Sequence, residues 1–185
     1  MSAGDAGEQR FTYDDVSAYT LGADDERLLV EAQDECTFMW ANKEGWPVGV
    51  VMSYVFHDGC FWLSVSDLRV RVRAVERDPR VSISITSKGS TIRSSQALTY
   101  KGLCVVHRDR PTIDWFLPAL ARRLRPDDDA AQQAFVRLND TPRRCVLQVT
   151  PQQTIAFDGR KMRAATLAAE AATHTGPGPA GEPQR

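Results

Sequence analysis

Between Cys36 and Ser66 the chain runs through "CTFMWAN", "WPVGVVMSYVF" and "CFWLSVS", interrupted only by "KEG" and "HDG". Aromatic and β-branched residues dominate all three runs, and each interruption is a short polar stretch ending in glycine, the signature of strands joined by tight turns. Connections this short force neighbouring strands to be antiparallel, because a parallel pair needs a crossover of about a dozen residues or more. The segment therefore dictates a three-stranded antiparallel meander, to which the rest of the chain must add.

Two further strands follow, "RVSISIT" after Asp78-Pro79 and "LTYKGLCVVH" after the polar loop "SKGSTIRSSQ". Gly102 inside the second marks a bulge, the usual reason for glycine within an otherwise regular strand. "TIDWFLPALARRL" and "DDDAAQQAFVRLND" have helical spacing, the second with aspartates where the helix dipole favours them. "RCVLQVTPQQTIAFD" returns as a strand pair, and "KMRAATLAAEAA" closes as an alanine-rich helix. Near the start, "DDERLLVEAQDE" predicts a helix capped by Asp24 or Asp25, with Leu28, Leu29 and Ala32 on one face. Many strands with short helices beside them predict an α+β fold, an antiparallel β-barrel. A doubly wound α/β sheet is disfavoured by the lack of strand–helix alternation. The length of 185 residues with 42% hydrophobic content fits one domain, 21–173, after a flexible lead-in, 1–20. The Gly- and Pro-rich end, 174–185, is expected to be disordered.

Charge removes several function classes. With 23 Lys and Arg against 24 Asp and Glu, the overall field favours neither nucleic acid nor an anionic membrane, so any anion site must be local. The four cysteines, Cys36, Cys60, Cys104 and Cys145, are widely spaced without a CxxC and read as buried thiols of a reducing compartment. His57 lies in the expected turn and His174 in the tail, so the three histidines form no metal constellation. No basic-then-apolar leader opens the chain, and its longest apolar stretch, "PVGVVMSYVF", falls well short of the ~20 residues a membrane helix needs. A cytoplasmic protein is expected.

"SVSDLRVRVRAVERDPRVSI" contains two competing periodicities. Arg69, Arg71 and Arg73 alternate with Val70 and Val72 as on a strand, whereas helical spacing groups Leu68, Val72 and Val75. Pro79 decides, because helices commonly end at or before the residue preceding proline, and Ser66 or Asp67 can cap the other end. A strand running from Cys60 through Asp78 would also be unusually long. The reading is strand, cap, short helix, and a new strand from Arg80. Arg69 and Arg73 are then one turn apart, while Arg71 points to a different side. Free backbone N–H groups and the positive dipole end gather beside them, which is the physics of a phosphate site. The alternative is an exposed basic helix whose arginines lie over Leu68 and Val72. Contact with RNA is disfavoured by the near-neutral charge and the lack of basic–aromatic interleaving.

In order and spacing, "PVGVVMSYVFHDGCFWLSVSDLRVRVRAVERDPRVSISI", "YKGLCVVHRD" and "LQVTPQQTIAFDGRKM" resemble the split-barrel flavin-binding family typified by pyridoxamine 5′-phosphate oxidase, which includes actinobacterial flavin- and deazaflavin-dependent oxidoreductases. The resemblance spans Glu26 to Met162. It implies an FMN-binding split barrel, with a deazaflavin coenzyme as the alternative ligand. The family's phosphate-holding basic residue, eight positions before the proline, corresponds to Arg71, with Arg69 and Arg73 beside it. The ring would lie on the second and third strands, at Val50, Val51, Met52 and Ser53 and at Leu63, Ser64, Val65 and Ser66. Lys88, with Arg93 nearby, would approach the site across a homodimer interface.

The chain lacks the Arg-rich segment before the barrel and the terminal Arg-Leu-x-Pro pattern of the family's founding enzyme, so the resemblance does not extend to its vitamin substrate. It implies hydride transfer to or from an unidentified small molecule; a cofactor carrier or sensor without turnover stays open. No metal and no catalytic side chain are expected, because a flavin-type ring itself carries the chemistry. Of the four tryptophans, Trp46 beside Pro47 is the one expected at the surface. Cys60 has no histidine placed by sequence to activate it, and Asp114 and Asp158 read as solvated carboxylates.

Overall fold

β1 (Glu35–Ala41), β2 (Pro47–His57) and β3 (Cys60–Ser66) form the expected antiparallel meander in a computed structural model that describes residues 12–174. Asp58 and Gly59, with φ of 49° and 72°, make the tight turn between β2 and β3, where a left-handed backbone matches the twist of the flanking strands. β4 (Arg80–Thr86), β5 (Gln96–His107) and β6 (Arg144–Asp158) complete a closed antiparallel barrel in the order β1-β2-β3-β6-β5-β4. Among the described residues five helices flank it: α1 (Ala23–Ala32), α2 (Val70–Arg77), α3 (Arg110–Leu124), α4 (Asp129–Asn139) and α5 (Gly159–His174). This is the α+β split barrel expected from the sequence.

The barrel holds together unevenly. β2 and β3 pair only from Tyr54↔Leu63 to His57↔Cys60. Beyond that point β2 stays with β1, from Glu35↔Ser53 to Ala41↔Pro47, while β3 stays with β6 as far as Ser66↔Arg144. The two strands part, and the facing edges of Pro47–Ser53 and Ser64–Ser66 have no ladder partner in each other. Such an edge presents backbone N–H and C=O groups to whatever occupies the gap.

Strand alternation sorts the side chains. Phe38, Tyr54, Phe61, Leu63, Ile83, Leu98 and Leu147 point inward and are almost fully buried, each contributing roughly 1.5–3 kcal/mol of transfer free energy if aliphatic or aromatic. α2 adds Val72, Ala74 and Val75 to this interior. A second apolar cluster lies outside the wall, where Ile113, Phe116, Leu117 and Leu120 of α3 cover Val146, Val55 and Trp62. The bulge expected at Gly102 is present as a register shift after Lys101. A Cβ at Gly102 would lie 2.5 Å from the Thr150 carbonyl oxygen, so only glycine fits without moving β6.

Three local expectations are corrected. α1 is capped by Gly22 and buries Leu29 and Val30, while Leu28 is exposed; the aspartates sit in the first turn and favour the dipole without capping. β6 is one continuous strand of 15 residues and not a strand pair, because its first part ladders with β3 and the stretch from Val146 to Asp158 with β5. Asp158 is not solvated: it is 1% exposed and paired with Arg160. Of the expected lead-in, residues 12–20 are described; the Tyr19 carbonyl accepts from the Asp158 N–H and the Thr20 carbonyl from Lys161. Of the expected disordered end, only His174 is described, and residues 175–185 lie outside the described part. No helix among the described residues is long and apolar enough to cross a membrane.

Candidate functional site

The arginine stretch folds as the proline and strand-length arguments require: β3 ends at Ser66, α2 runs from Val70 to Arg77, and β4 starts at Arg80. Its cap differs from expectation. Arg69 is the N-cap residue, with no side-chain capping bond, and Ser66 serves the preceding turn, its hydroxyl accepting from the Leu68 N–H at 3.4 Å. Leu68 therefore lies outside the helix and is exposed, whereas Val72 and Val75 are buried.

This geometry separates the three arginines. Arg69 and Arg73 are exposed, and Arg71 is half-buried. The Arg71 Nε is buried with no hydrogen-bond acceptor, and burial, followed by the nearby Arg69 charge, pushes the guanidinium pKa down. The carboxylates of Asp67 before this helix, Glu76 within it and Asp78 at its end do not relieve it, because each is taken: Arg108 reaches Asp67 at 2.6 Å and Glu76 at 2.7 Å, and Arg80 reaches Asp78 at 2.7 Å. A guanidinium taken partly out of water without a counter-charge is costly, so this end of the barrel is complementary to an anion.

The strand residues expected at the site fall into two groups. Val51, Ser53, Ser64 and Ser66 point outward on either side of the gap between β2 and β3, and Val51 is 65% exposed. Met52 and Val65 turn their side chains into the barrel core, as do Val50 and Leu63 at the ends of those stretches, so these four present only backbone to the gap. Lys88 is not brought to the arginines within one chain. It follows β4, whose seven residues span roughly 20 Å from the α2 end, and its carbonyl is tied to Gln33 beside α1.

Arg144 was not singled out by sequence and stands beside the predicted residues. It is the Cα partner of Ser66 and its Nη1 donates to the Ser64 hydroxyl at 3.0 Å. No local signal could have found it, since the contact joins positions 80 residues apart.

Trp46 is 70% exposed, Trp40 is buried, and Trp62 packs edge-on against Trp115 of α3 at 5.0 Å. All four cysteines are buried free thiols, and burial raises Cys36 and Cys104 to about 12, far from a reactive thiolate. Cys60 lies 3.4 Å from the Gln148 amide and 3.5 Å from the Thr150 hydroxyl, with no base against it. Asp114 is exposed and bonded to Arg110. An open cavity of about 520 Å³ on the outer wall of β1, β4 and β5, lined in part by Met39, Ser82, Lys101 and Leu103, contains none of the predicted site residues.

No family model matches the sequence, and no curated protein matches it. Solved structures do match. A conserved hypothetical protein of Mycobacterium tuberculosis superposes with a TM-score of 0.67 at 20% identity, over 79% of this chain and 91% of that one. A FAD-binding protein of Mesorhizobium loti gives 0.57 at 15% identity, over 75% and 96%. An F420 reductase gives 0.53 at 17% identity, over 70% and 94%. At these identities the likeness establishes architecture, and the chain has the split-barrel fold of the pyridoxamine 5′-phosphate oxidase-like proteins that its sequence resembles.

Proposed function

We propose that the chain is a homodimeric oxidoreductase that binds FMN, or a deazaflavin coenzyme in its place, and moves hydride equivalents to or from a small molecule in the cytoplasm. The observation that carries this reading is the half-buried Arg71, whose Nε lacks an acceptor at the first turn of α2. A ribityl phosphate supplies the missing anion, and the backbone N–H groups opening α2 add to its binding. The names of two structures with this fold, a FAD-binding protein and an F420 reductase, support the flavin class of ligand.

The bound ring would supply the redox chemistry. The chain's own residues bind and orient it. Arg71 holds the phosphate, and the exposed Arg69 and Arg73 strengthen the local positive field. The outward Val51, Ser53, Ser64 and Ser66, with the backbone at Met52 and Val65, offer one apolar contact and several hydrogen-bonding groups to a planar ring at the gap between β2 and β3. Lys88, which lies away from Arg71 within one chain, would join from a second copy of the chain. A homodimer also accounts for the exposed Val51, Leu103, Val105 and Ile155 on the outer barrel wall, at 65%, 37%, 52% and 53%.

The test is the absorption spectrum of the purified protein and mass spectrometry of what it releases on denaturation, followed by titration with FMN and with a deazaflavin if it is colourless. A released or saturably bound coenzyme is expected, with sedimentation at twice the chain mass. Binding of neither coenzyme overturns the reading. Coenzyme that binds but is never bleached by any candidate reductant would leave a carrier or sensor.

A further inference from the structure

The cofactor reading leaves Arg144 unexplained. Its Nε donates to the Asn139 carbonyl at 2.7 Å and its Nη1 to the Ser64 hydroxyl at 3.0 Å, so the guanidinium is fixed between the end of α4 and the outer face of β3. Both acceptors are neutral. None of the ion pairs among the described residues includes it. The side chain is half-buried, and that burial pushes its pKa down. A neutral donor such as glutamine could tie Asn139 to Ser64 without the cost of desolvating a charge. The positive charge therefore has a use that the two hydrogen bonds do not account for.

We propose that Arg144 is a second cationic contact of the bound coenzyme and faces the carbonyl edge of its ring, while Arg71 faces the phosphate. This rests on the cofactor reading above. The division follows from placement. Arg71 lies within α2, beyond the end of β3, whereas the bonds of Arg144 draw its guanidinium back along β3 to Ser64, beside the gap where β2 and β3 part. Hydride uptake adds two electrons and one proton to a neutral flavin or deazaflavin ring and leaves a net negative charge, which collects at the carbonyl edge. A fixed cation there favours the reduced ring over the oxidised one.

The test compares the wild type with Arg71→Ala, Arg144→Gln and Arg144→Lys in titrations with FMN and with riboflavin, which has the ring but no phosphate. Each titration is run oxidised and after dithionite reduction; if the deazaflavin is the ligand that binds, it and its dephosphorylated form replace the pair. Arg71→Ala is expected to lose FMN affinity ~10- to 100-fold and to leave riboflavin unchanged. Arg144→Gln is expected to lose FMN and riboflavin by a similar factor of ~10, with a larger loss for the reduced forms, and Arg144→Lys to recover part of it. A purely structural role would lower the melting temperature of the unloaded protein but leave the ratio of reduced to oxidised affinity at its wild-type value. That result overturns the proposal, as does a loss confined to FMN. If Arg144→Gln does not fold, Ser64→Ala carries the test, with a smaller change expected in the same ratio. Wild type that binds FMN beside an unaffected Arg144→Gln sinks this proposal alone; wild type that binds no coenzyme sinks the cofactor reading and this proposal together.

Discussion

Arg110 and Arg71 carry the same side chain near the start of two helices, and the molecule treats them oppositely. Arg110 opens α3 with its side chain 56% exposed, donates to the carboxylates of Asp114 and Asp140, and has its pKa raised by them. Arg71 lies in the first turn of α2, half-buried, with its Nε unaccepted and its pKa lowered by burial. Arg108 follows the first pattern, bridging Asp67 and Glu76, and Arg144 the second. One set of arginines is completed by the chain's own carboxylates. The other is held partly out of water beside neutral groups, an arrangement that the negative charge of a ligand would favour.

The largest expected effect that sharpens this contrast is on affinity. Arg71→Ala should weaken coenzyme binding by ~1.5–3 kcal/mol, the value of a charge-assisted hydrogen bond, while Arg110→Ala leaves affinity unchanged. Isothermal titration of both variants checks it, and equal losses would erase the distinction between the two sets.

The next effect takes one of two carboxylates away from a paired arginine. Asp158→Asn leaves Arg160 with only Asp25 and removes a buried carboxylate that accepts from the Arg160 side chain at 2.8 and 3.0 Å. A loss of ~1–2 kcal/mol in denaturant unfolding at neutral pH is expected, reduced from the full charged-bond value because Arg160 is half-exposed. The hydrogen bonds from Arg160 hold the Asp158 pKa below the ordinary carboxylate value. Its contribution is therefore present above the unfolded pKa of ~3.9 and lost as pH falls through the folded value. The gap between wild type and variant should narrow as pH drops below about 4, and a gap independent of pH would mean that the pair does not carry the effect.

Smaller still is the effect of removing the unpaired charge from the empty protein. Arg71→Met should raise the unfolding free energy of the coenzyme-free protein by about 1 kcal/mol, because it takes away a desolvated charge and leaves an apolar side chain of similar length. A lower melting temperature for that variant would show that Arg71 is structural. Inorganic phosphate offers the mildest probe: it should raise the wild-type melting temperature slightly and leave that of Arg71→Ala unmoved.

Much of the frame was legible in the residues because its causes are local. "HDG" could make only a tight turn, Gly102 announced a bulge, and Pro79 with the length of the preceding strand fixed where α2 stops. The place of Arg71 in that helix was legible for the same reason, since its distance from that proline is counted along the chain. Other features were not legible. The Asp24 and Asp25 carboxylates looked like caps, but the helix starts one residue before them at Ala23 with Gly22 as its cap. β6 reads as two strands in the sequence, yet Pro151 within it sits opposite Gly102 at the bulge, where the ladder is already irregular, and the strand continues.

By itself the sequence determined the meander, the turns, the bulge and the helix that carries Arg71, because hydrophobic period and turn chemistry act over a few neighbouring residues. Tertiary structure alone decided where β2 and β3 part, that Met52 and Val65 face the core, and that Arg144 meets Ser64. It also decided which arginines find a carboxylate and which do not. Burial and counter-charge are properties of what lies across the gap from a side chain, and that is settled only when strands far apart in sequence close into a barrel.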